Sequence, residues 1–240
     1  MRHHSGSLYV TSNLKVADIL LDNPHLILML EHFGIGLSVQ DQTVDQICRA
    51  RQIDTGLFLT LANLFNGHAS PLPVSDSSET ILSIVAYLQK NHEYYLNEKL
   101  PVIHTLIQEM HRENDQEEMV LVEKFFHEYR NEVVEHLNYE SQEVFPYIES
   151  LCAQTARSVQ NEYRYSMEEF KGHHSDIEEK LTDLKNLLVK YLPRRNDGQI
   201  RRNLLFGLFE LEYDLNIHTR IEDSILIPLA EALEQRKARL

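Results

Sequence analysis

The chain has 240 residues, 42% of them apolar, which is enough to bury a sizeable core in one or two domains. Acidic residues outnumber basic ones 37 to 23, and the net charge of -14 argues against a nucleic-acid surface, which needs clustered Lys and Arg; the pairs Arg194-Arg195 and Arg201-Arg202 fall in or beside a loop. No signal-peptide pattern and no apolar run near the roughly 18 residues of a membrane span occur, so a cytoplasmic protein with protein or small-molecule partners is expected.

The first 66 residues read as a small helical domain. Leu14 to Leu21, His25 to Phe33, Thr43 to Arg51 and Asp54 to Phe65 carry helical patterns separated by Asn-Pro, Gly-x-Gly and Asp-Gln breakers. Residues 67–76, rich in Gly, Pro and Ser, read as a linker. Cys48 and Cys152 are far apart in sequence and make neither a disulfide framework nor a C-x2-C zinc site.

From residue 77 to 240 the periodicity is helical nearly throughout, and four long helices are predicted. The first starts at a capping-box pattern, Asp76 with Glu79, and turns Ile81, Val85, Leu88, His92, Leu96, Ile103 and Met110 inward, with a kink at Pro101. The second, announced by Asn114 and Glu117, runs to about Cys152 with Phe125, Tyr129, Val133, Val144 and Ile148 on its core stripe. The third carries Met167, Phe170, His174, Ile177, Leu181, Leu184 and Leu188 and ends before Pro193. The fourth follows Asn196-Asp-Gly with Leu204, Leu208, Leu211, Leu215, Ile225, Leu229 and Leu233. Short connections after the first and third helices make an all-α, up-down-up-down four-helix bundle the economical topology.

Two of these helices repeat one motif. His136 to Pro146 and His218 to Pro228 both read H-x3-E-x5-P, and residues i and i+4 share a helix face, so each helix sends one imidazole and one carboxylate inward. The separation of His92 from His136 equals that of His174 from His218, so one half of the bundle reads as a copy of the other. A single histidine on an apolar stripe is more often a packed core residue than a ligand. Four of them, one per helix, with two glutamates, instead predict a dinuclear metal centre of His92, His136, His174, His218, Glu140 and Glu222, with both glutamates spanning the metals. His104, His111 and His127 lack such partners and are expected at the surface or in packing, while Pro146 and Pro228 are expected to bend the helices beyond the ligands. Imidazole and carboxylate without thiolate suit iron or manganese, and two irons would be held with an oxo or hydroxo bridge and exchangeable positions open to O2, NO or peroxide.

These residues resemble the hemerythrin-like domain, and the preceding unit, with Leu14 to Leu21, the turn Phe33-Gly34-Ile35-Gly36 and Thr43-Val-Asp-Gln-Ile-Cys48, resembles the short domain of the di-iron proteins for repair of iron centres. The resemblance implies a stress-response role in restoring iron-sulfur clusters damaged by nitric oxide or peroxide, through NO reduction of reductase type, iron donation or both. Damaged iron-sulfur proteins are the implied partners and a homodimer the implied assembly. It assigns the six ligands to the same His92, His136, Glu140, His174, His218 and Glu222. The oxygen carriers of this family have a fifth histidine where Glu178 stands here, which favours the repair type. The family's Cys-Cys pair after the Gly-Ile turn is replaced by Ser38-Val39, which removes thiol chemistry from that turn. The alternative is a non-catalytic module that senses O2 or NO or binds iron.

Overall fold

A computed structural model describes residues 8–68, 74–114, 117–153, 177–193 and 196–238. Two compact units are formed: residues 1–88, 148–162 and 220–240 make one, residues 89–147 and 163–219 the other. Among the described residues the fold is all-α and has no strand; an isolated bridge between Lys15 and Thr43 is its one β-type pairing. The fold class is that expected, all-α.

In the first unit, α1 (Val16–Asp22), α2 (Leu26–His32), α3 (Val44–Arg51) and α4 (Thr55–Phe65) pack around Val16, Ile19, Leu26, Leu57 and Phe58, all fully buried. Their starts follow local chemistry. Thr43 and Gln46 form a reciprocal capping box, and Asp54 accepts from the Leu57 N–H at 2.7 Å. Gly34, at φ +68°, ends α2 where a side chain would be strained, and the Ile35 N–H then reaches back to the Leu30 carbonyl. Asn63 ties down the start of the described chain by donating to and accepting from the backbone of Val10.

The long helices begin with α5 (Ser78–Tyr94). Its cap is Ser77, whose hydroxyl accepts from the Thr80 N–H, one residue later than the sequence pattern implied. Asp76 instead pairs with Arg236 at 2.6 Å, a contact between positions too far apart in sequence for any local pattern to reveal.

The second unit contains α6 (Leu100–Glu113), α7 (Glu117–Tyr139), α9 (Ile177–Asn186) and α10 (Gly198–Ile221) around one core. The remaining helices are α8 (Phe145–Ala153) and α11 (Ile227–Ala238). Ile103, Ile107, Phe126, Tyr129, Val133, Leu184, Leu204, Leu208 and Leu211 fill the core. Ion pairs bind the helices across its edge: Lys99 to Glu210 at 2.6 Å, Lys180 to Glu132, and Lys185 to Glu212.

Three of the long helices are interrupted by a five-residue π-turn, Tyr95–Lys99, Glu140–Val144 and Glu222–Leu226, and the other ends in one, Leu187–Tyr191. Every one of them ends two residues before a proline, namely Pro101, Pro146, Pro193 and Pro228. In each, the residue just before the proline closes the turn: the N–H groups of Leu100, Phe145, Leu192 and Ile227 donate to the carbonyls of Tyr95, Glu140, Leu187 and Glu222. Proline offers no N–H and its ring collides with the carbonyl four residues back, so inserting one residue into the turn is a way to clear that carbonyl. The irregularity therefore lies before each proline, and in two helices it starts at a glutamate of the repeated motif.

The extra residue rotates the remainder of the helix by about 100°. This accounts for one departure from the predicted core faces: beyond the π-turn at Glu222, Ala230 is buried while Leu229 is half-buried. In the first long helix Tyr95 is fully buried while Leu96 is only half-buried. Phe126 rather than Phe125 is the buried ring of α7.

Candidate metal centre

The second unit brings His92, His136, Glu140 and His218 together. Glu140 opens the π-turn after α7 and is fully buried, with its two carboxylate oxygens facing different imidazoles. Oε2 lies 3.1 Å from Nε2 of His92 and 3.7 Å from Nε2 of His218, whereas Oε1 lies 3.0 Å from Nε2 of His136. His92 and His218 are 3% exposed, and His136 sits at the rim with 14% of its side chain exposed.

Glu222 follows His218 by one turn of the same continuous helix and is also fully buried. One ligand atom from each of His92, Glu140, His218 and Glu222 lies within 4.8 Å of the others. His174 lies outside the described residues. His104 stacks on Phe126, His111 pairs with Glu123 at 2.8 Å, and His127 is exposed beside Asn131; none of them joins the group.

Sequence reasoning did not identify the residues that orient this group. Ser141, the residue after Glu140, places its hydroxyl 2.9 Å from Nδ1 of His92, which leaves Nε2 aimed at Glu140. Phe145 stacks on the His92 ring at 5.2 Å, and Tyr95 meets His218 edge-on at 5.9 Å. The X-x5-P spacing shared by Tyr95, Glu140, Leu187 and Glu222 was the available signal, since it marks the residue that opens each π-turn.

The electrostatics favour ligation. Burial by itself would push the Glu140 carboxyl up, but hydrogen bonds with His136, His218 and His92 outweigh it and hold the group well below the usual carboxylate range. Burial pulls the His92 imidazole down, toward the neutral form that binds metals.

Comparison with protein families identifies the domain. The model of the hemerythrin HHE cation-binding domain matches residues 83–230, well over half of the chain. The chain belongs to this family. No curated protein matches it. The matched region contains every member of the His–Glu group.

The donor set fits cations. Two ligands about 2.1 Å from one ion and at right angles to each other are roughly 3 Å apart, the separation of Glu140 from His92 and from His136. A pair of fully buried carboxylates with oxygens within 4.8 Å of each other also calls for positive charge between them. With one oxygen toward His92 and His218 and the other toward His136, Glu140 can span two ions. Thiol chemistry has no comparable site: burial pushes the Cys48 thiol up to about 11 and raises Cys152 as well. Among the described residues, no helix is long and apolar enough to cross a membrane.

Proposed function

We propose that the bundle holds two non-haem iron ions and serves to restore iron-sulfur clusters damaged by nitric oxide or peroxide, by reducing NO, by donating iron, or both. The observation that carries this reading is the two-sided environment of Glu140. Its oxygens face imidazoles from α5 and α10 on one side and from α7 on the other, the arrangement of a bridging carboxylate. His174 would complete the second position, and Glu222 would bridge beside Glu140.

The all nitrogen and oxygen donor set suits iron. The protein's own share of the chemistry is positional: His92, His136 and His218, with His174 as the fourth imidazole, and the two carboxylates would hold the ions, and the rings of Phe145 and Tyr95 flank His92 and His218. When bound, two ferrous ions would supply one electron each to a pair of NO molecules, which with two protons give N2O and water. The raised pKa values of both thiols favour work at the metals over disulfide exchange or cluster transfer through cysteine.

The test is iron content and Mössbauer spectroscopy on protein purified without oxygen, followed by excess NO. Two spin-coupled irons per chain and about one N2O per pair without added reductant are expected. Two irons with a stable nitrosyl species and no N2O would leave iron donation or NO sensing. A reversible oxygen adduct would return the protein to oxygen binding, and absence of iron would overturn the proposal.

A further inference from the structure

The fourth long helix carries more than its two ligands. Glu210, Asp214, His218 and Glu222 recur every four residues and so form one ridge along the helix. Glu210 has 58% of its side chain exposed, whereas Asp214, His218 and Glu222 are all buried. A basic partner joins the ridge from the first long helix. Lys99, the last residue of the π-turn that Tyr95 opens, is 8% exposed and donates to Glu210 at 2.6 Å.

Asp214 is thus a buried acid between a solvent-linked ion pair and a metal ligand. It is 6% exposed, and its charged neighbours are Lys99, which favours its ionised form, and Glu210, which opposes it. Burial dominates and pushes the carboxyl up to about 7, so near neutral pH it exists in both forms. The other half of the bundle is built differently at the matching place: Glu132, one turn before His136, is bound directly by Lys180 and is half-buried.

We propose that Asp214 is the proton-exchange group of the metal centre, releasing its proton when the centre gains positive charge and regaining it when that charge falls, with Glu210 and Lys99 as the connection to solvent. The inference rests on the metal reading of the His–Glu group. On loading, the O–H bond of Asp214 breaks as its proton passes by way of the Lys99–Glu210 pair to water. The carboxylate left behind is favoured by the nearby Lys99 ammonium and by the positive charge of the loaded centre. Four residues of helix place Asp214 about 6 Å along the axis from His218. At the effective dielectric of a protein interior, a divalent charge held near His218 lowers the hold of Asp214 on a proton by roughly a hundredfold or more. Asp214 touches no reacting atom in this scheme and acts through charge alone.

The test counts protons rather than turnover. Metal-free full-length protein at pH 6 is titrated with Zn2+, which has no redox chemistry, while released protons and bound metal are both measured. Wild type should release about one proton more per chain than Asp214→Asn at equal metal occupancy. The infrared carbonyl band of a protonated carboxylic acid should be present in metal-free wild type, vanish on loading, and be missing from Asp214→Asn. Glu132→Gln serves as the control and should release as wild type does. Equal proton release by wild type and Asp214→Asn with full occupancy would overturn the proposal and leave the metal site standing. Failure of wild type to bind metal would overturn both.

Discussion

At the scale of single residues, two carboxylates on neighbouring helices do opposite work. Glu140 is held ionised by three imidazoles and, on the proposed two-metal reading, would span the centre, so Glu140→Ala should lower the occupancy of both metals together, whereas His92→Ala should empty mainly one. Metal analysis of the purified variants checks this, and loss of a single metal from Glu140→Ala would count against bridging. Asp214 gives a pH dependence whose sign is fixed by its environment. Its folded-state value is raised to about 7 from 3.8, so its contribution to stability is complete below about pH 4 and is lost as pH rises through 7. Metal-free Asp214→Asn should lack this decline. Between pH 5 and 8, urea melts of the metal-free proteins should differ by up to about 2.5 kcal/mol in how far stability falls. Parallel pH profiles would mean that the carboxyl is solvated.

At the scale of elements, proline and glutamate act as one device. In α7 the π-turn begins at Glu140 and closes on Phe145, the residue before Pro146, and the same relation links Glu222, Ile227 and Pro228. A regular α-turn here would rotate the residues beyond it by about 100° and separate Ser141 and Phe145 from the His92 ring they flank. Pro146→Ala restores the missing N–H and lets the α-helical register compete with the π-turn. The variant should keep its helical circular dichroism and bind metal more weakly, by roughly the 10–100-fold that loss of an orienting contact costs at metal sites. Unchanged affinity would show that packing of Phe145 and Ile148, both fully buried, holds the turn without the proline.

For the whole molecule, the metals should contribute substantially to stability. Ligands that bind only the folded state stabilise it by about 4 kcal/mol at a thousand times their dissociation constant. For a chain of this size that corresponds to a melting shift of about 10 °C. Treatment with a chelator should produce such a fall in calorimetry, reversed by adding metal back, and an unchanged transition would place the His–Glu group outside the folding energetics. The acidic surface adds a second, weaker effect, since self-repulsion at a net charge of -14 is screened by salt.

What the sequence determined by itself is what periodicity and spacing encode. An apolar stripe recurring every three to four residues specified long helices, and a histidine with a glutamate four residues later had to share its face, so His136 with Glu140 and His218 with Glu222 were legible before any coordinates. The tertiary structure decided what depends on neighbours distant in the chain. Asp76 bonds Arg236 instead of capping its helix, Ser141 reaches His92, and Lys99 leaves Asp214 beside it while pairing with Glu210. It also decided the face on which Ala230 lies, because Pro228 is met by one extra residue in the preceding turn, and a helix that gains a residue changes the direction of every side chain after it.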